Sequence, residues 1–323
     1  IRDRAKHRPP RKPENAPESK LIFLARSFGW LFAHSPRFVL ATLASLLARL
    51  IFHASPARKR LLLANLHHAF PDMPRVWLVR TALNSCRQRV ENRFLALALP
   101  HLSERRLRSM IHLTAGTREH LLDLLNAKRP AVLAIPQVGA WELATALPLF
   151  CPGHRVKLGI AYPGVDRPKL DRWLRRGRSR FGVGILTPEN GMLEGLALLR
   201  DNGLFGVLFD QWHTVRGIQA LLLDRLTTVS ELPGILVERF QPRLVGLYTE
   251  RISFWHYTIR LTERPVPRRA AAVAAELNAW LEKLLRTSDS ACGSWPWSTE
   301  RWKPHPSPHN ALCLDRRRPL AHN

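Results

Sequence analysis

The stretch Lys128-Arg129-Pro130-Ala131-Val132-Leu133-Ala134-Ile135-Pro136-Gln137-Val138-Gly139-Ala140-Trp141-Glu142 decides the fold. Upstream, over residues 59–125, apolar side chains recur at spacings of three and four, interrupted by Pro71 and Pro100. Within the stretch, five apolar residues run unbroken and stop at a proline. So short a continuous run is what a strand buried on both faces requires. Comparable runs recur at residues 156–160, 183–186, 204–209 and 244–248. Segments of helical spacing separate them at 142–149, 169–180, 192–200 and 233–240. This alternation predicts a single α/β domain with a mostly parallel central sheet flanked by helices. Residues 255–261 alternate apolar and polar, as an edge strand antiparallel to its neighbour does, and 270–286 reads as a last amphipathic helix.

Farther out, residues 1–20 are Pro, Lys, Arg and Glu with scarcely a bulky apolar side chain, a basic disordered tail. Residues 304–323, rich in Pro and Arg, read as a loose C-terminal tail. Residues 21–54 form an apolar helical anchor, broken by Arg26, by His34-Ser35-Pro36-Arg37 and by Arg49. Its cleaner half, 38–52, falls short of the roughly 20 residues a spanning helix needs, and Pro36 divides the stretch into two helices. Three arrangements are open: one tilted span, an in-plane hairpin in the bilayer interface, or a buried helical pair. Phe28, Trp30 and Phe32 beside arginines favour membrane contact. No cleavage site of a signal peptide follows the stretch. The α/β domain proper is expected over 55–303.

Charge narrows the partners. Fifty Lys and Arg against 25 Asp and Glu give +25, so an anionic neighbour is expected: nucleic acid, phospholipid headgroups or a phosphorylated substrate. No helix-turn-helix, zinc-finger or RNA-binding signature is present, which sets nucleic acid last. Cys86, Cys151, Cys292 and Cys313 lie far apart without a C-x-x-C pair, so neither a zinc site nor a disulfide framework is expected, and a reducing, cytosol-facing location fits. His67 and His68 have no metal-ligand spacing. No metal or cofactor is expected.

Ligands of an open α/β sheet bind beyond the carboxyl ends of the strands. Two segments lie there: residues 136–142, and Asp210-Gln211-Trp212-His213. Glu142 in the first turn of a helix satisfies the helix dipole with no other role required, and Asp210 could equally accept from turn amides. The run Arg172-Trp173-Leu174-Arg175-Arg176-Gly177-Arg178-Ser179-Arg180 reads as a solvated helix face, a nucleic-acid patch or an anion contact.

Taken in order, several motifs resemble the late acyltransferases of lipid A biosynthesis. They are Asn65-Leu66 with Phe70-Pro71, the Gly-x-Trp-Glu turn at 139–142, Arg178-x-Arg180-Phe181-Gly182, Asp210-Gln211 and Trp297-x-x-x-Arg301-Trp302-Lys303. The resemblance implies transfer of a fatty acyl chain from an acyl carrier protein or coenzyme A thioester to a hydroxyl of a lipid A precursor or related anionic glycolipid or phospholipid. It implies a place at the cytoplasmic face of the bacterial inner membrane. Gln137 and Glu142 would be the catalytic pair, with Gly139, Trp141, Arg178, Arg180, Asp210 and Gln211 binding substrate. The family's dyad is His-x-x-x-x-Glu or His-x-x-x-x-Asp; here Glu142 matches the carboxylate and Gln137 stands where the histidine would be. An amide cannot be a general base near neutrality. Either Gln137 orients a hydroxyl while Glu142 or His213 takes the proton, or the chain is a catalytically silent acyl-chain or lipid-binding homologue. The family's aromatic-Gly turn and Gly-Pro pair are also replaced, by Leu221-Leu222-Leu223-Asp224-Arg225-Leu226 and Leu232-Pro233-Gly234, so chain-length preference does not carry over.

Overall fold

The structure is a computed structural model that describes residues 16–162, 164–187, 191–210, 217–299 and 301–302, with side chains from residue 20. The expected C-terminal tail and most of the N-terminal one lie outside the described residues, although the first helix begins at Ala16, inside the stretch read as tail. Helices α1 (Ala16–His34), α2 (Arg37–Ala54), α3 (Pro56–Ala69) and α4 (Arg75–Ala98) come first, then α5 (Glu104–Met110), β1 (Ile111–Leu113) and α6 (Ala115–Asn126). The sheet then builds through β2 (Ala131–Ile135), a 3-10 helix Trp141–Phe150, β3 (Leu158–Ala161), α7 (Pro168–Ser179), β4 (Gly184–Leu186), α8 (Gly191–Arg200) and β5 (Leu204–Leu208). A hairpin of β6 (Ile218–Leu222) and β7 (Arg225–Val229) precedes α9 (Leu232–Phe240), β8 (Arg243–Ser253), β9 (His256–Arg264), α10 (Ala270–Thr287) and α11 (Asp289–Ser294).

Seven strands form one sheet in the order β1-β9-β8-β2-β5-β3-β4, parallel throughout except where β8 meets β9. Every residue of β2 is buried. Ala131, Leu133 and Ile135 enter one hydrophobic cluster while Val132 and Ala134 enter another, so the unbroken apolar run reflects a strand covered on both faces. The 24-residue α4 serves both layers: Leu78, Ala82 and Cys86 join the second cluster, Val90, Phe94, Leu95 and Ala98 the first. It crosses from layer to layer at the carboxyl end of β2, and there the site lies.

Two expectations need correction, and one element carries no sequence signal. The segment at 142–149 is a 3-10 helix, not an α-helix; Pro148 lacks the N–H that α-helical pairing would need, and nearly every side chain of the segment is buried. The strand at 255–261 is not an edge, because the three-residue β1, too short to leave a period in the sequence, pairs outside it. The leucine run 221–226 is a hairpin whose tip, Leu223-Asp224, takes positive φ at both residues (54° and 62°). That is the primed-turn geometry normally given to Asn-Gly, so no turn signal announces it. Leu223 is fully buried and its backbone N–H donates to Glu282, so tertiary packing holds the turn.

Candidate functional site

Strands β2 and β5 end in register, Ile135 opposite Leu208, so Gln137 and Asp210 leave the sheet side by side. Asp210 is fully buried. Its Oδ1 accepts from the backbone N–H of Gln137 at 3.0 Å and from Gln137 Nε2 at 3.4 Å, while Oδ2 accepts from Trp295 Nε1 at 2.8 Å. A carboxylate only accepts, so the amide nitrogen of Gln137 faces Asp210 and the amide oxygen is left for another donor. Below this group lies Arg301, equally buried, stacked 4.6 Å from the Trp295 ring centre and donating to the Asp210 carbonyl.

The turn that follows is pinned on three sides. Gly139 N donates to Ser294 Oγ at 3.1 Å, Gly139 O accepts from Asn92 Nδ2 at 2.7 Å, and Ala140 N donates to Thr249 Oγ1 at 2.6 Å. Gly139 has φ +70°, and a Cβ there would meet the Thr249 carbonyl oxygen at 1.9 Å. Gly139→Ala is therefore expected to cost about 2–5 kcal/mol, left-handed strain plus overpacking. Urea unfolding midpoints measure this; a loss near zero would mean that the turn is not fixed as described.

Glu142 sits in the first turn of the 3-10 helix and is buried together with Arg178 of α7, at 7% and 4% exposure. Arg178 Nη2 donates to Glu142 Oε1 at 3.1 Å, and its guanidinium lies over Trp141 (4.9 Å) and Tyr162 (4.4 Å). Its Nε and Nη1 are buried without a hydrogen-bond partner. Burial pushes the Glu142 carboxyl above its ordinary range and the Arg178 charge only partly pulls it back. No hydrogen bond joins Gln137 to Glu142: each has its own partner, Asp210 and Arg178. A cleft of about 300 Å³ exposes both, lined also by Gly139, Trp141, Arg89 and Arg93.

Of the expected site residues, Gln137, Gly139, Trp141 and Glu142 meet in this cleft, with Arg178 and Asp210 directly behind it. Arg180 does not join them. Its guanidinium holds the carbonyls of Pro100 and Leu102 and covers Phe181. In the dense arginine run only Arg178 turns inward, Arg175 pairs with Asp171 at 2.8 Å, and Arg172 and Arg176 face solvent. Gln211 and His213 lie outside the described residues. Sequence reasoning missed Asn92, Tyr162, Thr249, Ser294 and Trp295, which are ordinary residue types far apart in the chain. It also passed over Arg89 and Arg93, whose spacing on α4 was a usable signal. Among the described residues no group of His, Cys, Asp and Glu comes together as a metal site.

A buried carboxylate with a guanidinium behind it, opening at the carboxyl ends of parallel strands, defines an α/β protein able to accept a proton and steady a developing charge in one place. The sequence profile described as bacterial lipid A biosynthesis acyltransferase matches residues 10–304, and the chain belongs to that family. Membership brings acyl transfer in lipid A biosynthesis, with an acyl donor and a lipid acceptor, and a membrane-associated setting in bacteria. Comparison with curated proteins finds no match.

Proposed function

We propose that this chain transfers a fatty acyl group from an acyl carrier protein or coenzyme A thioester to a hydroxyl of a lipid A precursor or related glycolipid, with Glu142 as the proton acceptor. The observation that carries the reading is Glu142 on the cleft wall with the buried Arg178 behind it, whose Nε and Nη1 nitrogens have no hydrogen-bond partner. The acceptor hydroxyl, oriented by the amide oxygen of Gln137, attacks the thioester carbonyl as Glu142 takes its proton. Arg178 stabilises the oxyanion; the tetrahedral adduct collapses with cleavage of the C–S bond, and Glu142 returns the proton to the departing thiolate. Neither arginine nor glutamine has to titrate. The test is transfer of labelled acyl groups by the native chain. No transfer by the native chain, with transfer appearing in Gln137→His, is the result expected of a silent lipid-binding member and would overturn the proposal.

The inner-membrane setting rests on α1 and α2. Among the described residues only α2 is long and apolar enough to cross a bilayer. Yet its stripe Leu40, Ala44, Ala48 and Phe52 packs on α4, and burying Leu40 and Phe52 contributes about 1.5–3 kcal/mol each. Arg106 holds the carbonyls of Ala33 and Ser35, and Arg37 donates to Ser109 Oγ at 3.0 Å, so the turn between the two helices is fastened to the globular body. The outer faces remain bare, with Phe38 73% and Leu50 63% exposed on α2, and Phe23 and Trp30 exposed on α1. These contacts support an in-plane hairpin lying in the bilayer interface rather than a span. Phe38→Asp with Leu50→Asp is expected to weaken vesicle partition at least about tenfold, since two apolar side chains leave the bilayer, while the unfolding temperature stays the same. Flotation with unchanged partition would remove this face from the membrane. Cys86, Cys151 and Cys292 are free and buried, which supports the reducing, cytoplasmic side.

A further inference from the structure

We propose that Arg58, Arg89 and Arg93 form a subsite for a phosphate group of the membrane-lodged acceptor lipid, directly beside the transfer cleft. On α4, Ser85, Arg89, Arg93 and Ala96 follow one another at three- and four-residue spacing, a single stripe along the cleft wall. A smaller cavity of about 70 Å³ adjoins it, lined by Arg58, Arg89 and Arg93 with Ile51, Cys86 and Ser298. Arg89 and Arg93 thus border both spaces.

Among the described residues no carboxylate pairs with these three cations. Glu91, the carboxylate of α4, is buried on a different face and spent on Arg251 (2.7 and 2.9 Å) and Arg87 (3.5 Å). Among the described residues the guanidinium groups of Arg58, Arg89 and Arg93 make neither ion pair nor hydrogen bond. Burial, with the neighbouring charges of Arg93 and Arg58, holds Arg89 below its ordinary value. Forked guanidinium groups converging on one small space, unopposed, match the oxygens of a phosphate better than any neutral ligand.

The position selects the acceptor as its source. Ile51 belongs to α2 and sits next to Leu50 on the border of the bare apolar face, so the small cavity opens where that face ends. A phosphate held there belongs to a molecule whose chains lie in the bilayer, with its hydroxyl delivered into the adjoining cleft. The assignment to an acceptor rests on the acyl-transfer reading; the phosphate contact itself does not.

The experiment measures partition of the full chain onto phosphatidylcholine vesicles carrying either a phosphorylated disaccharide lipid or its dephosphorylated form, with acyl transfer followed on the same vesicles. Native protein is expected to favour the phosphorylated lipid about tenfold or more, as one or two charge-assisted hydrogen bonds provide. Arg89→Gln with Arg93→Gln is expected to bring that ratio close to one. Arg118→Gln with Lys128→Gln, which removes the same charge in and after α6, is expected to keep it. Should the double variant not fold, Arg93→Gln alone, at an exposed position, still has to lower the ratio. A ratio retained in the cleft variants, or lost equally in the α6 variants, overturns the subsite. Displacement from phosphorylated vesicles by soluble 4′-phosphopantetheine overturns its assignment to the acceptor. A native preference without any transfer supports the subsite while sinking the catalytic reading; transfer indifferent to phosphate does the reverse.

Discussion

Glu142→Gln is expected to lower acyl transfer about 10²–10⁴-fold, the usual worth of a positioned general base, while leaving the fold intact. The amide still offers an oxygen to Arg178 Nη2, now at 3.1 Å from Glu142 Oε1, but cannot take a proton. Glu142→Ala should lose as much rate and also about 3–5 kcal/mol of stability, because it strands the buried Arg178 charge. Comparing the two variants by single-turnover transfer and by urea unfolding separates chemistry from folding. Unchanged transfer in the glutamine variant would refute the role given to Glu142. The pH dependence has a fixed sign. Glu142 must be ionised to act, and burial raises its carboxyl above 4.5, so the native rate falls with acidification along a limb above the ordinary carboxyl range. Stability runs the other way: a carboxyl raised in the folded state contributes below its unfolded value, and that contribution is lost as pH rises through the folded one. A rate limb at or below 4.5 would point to a different base.

The sheet was legible because β2 advertises itself: Ala131 to Ile135 must satisfy two hydrophobic layers at once, and no amphipathic segment can do that. The hairpin at Leu223-Asp224 was not, since its positive φ values are imposed by contacts with Glu282 and His68 from distant segments. The site divides along the same line. Gln137, Gly139, Trp141 and Glu142 fall within one stretch of six residues, so a motif captures them. The family motif picks out Arg178 and Arg180 alike from the run of arginines, and what separates them is where each side chain goes from the end of α7. One turns to Glu142 and the other to the carbonyls of Pro100 and Leu102. The overall charge of +25 likewise does not say where cations lack partners. Among the described residues the guanidinium groups of Arg89 and Arg93 on α4 have no partner, while Arg243, for example, is committed to Asp123 and Glu263.

Gln137→His is expected to raise transfer about 10²–10⁴-fold over the native chain, by supplying the base whose place the amide occupies. The scaffold for an imidazole is already present. The backbone N–H of residue 137 is held by Asp210 Oδ1 at 3.0 Å and is unaffected by the substitution, so the new side chain leaves the main chain at the same point. Asp210 Oδ1, 3.4 Å from the amide nitrogen, can accept from one ring nitrogen and leave the other to receive the hydroxyl proton. A carboxylate at that distance favours imidazolium, so the variant should gain a limb at or above the ordinary histidine value of about 6.5, with the rate rising as pH increases through it. The gain should depend on Asp210: adding Asp210→Asn, which removes the charge and sets an amide NH2 against one of the N–H donors the carboxylate now accepts from, should move that limb downward and give back part of the rate in whatever fraction stays folded. A histidine variant no faster than the native chain, folded and with the same vesicle binding, would show that proton removal is not what limits this site. Glu142 would then have to be doing already, unaided, what the family's dyad does in two parts.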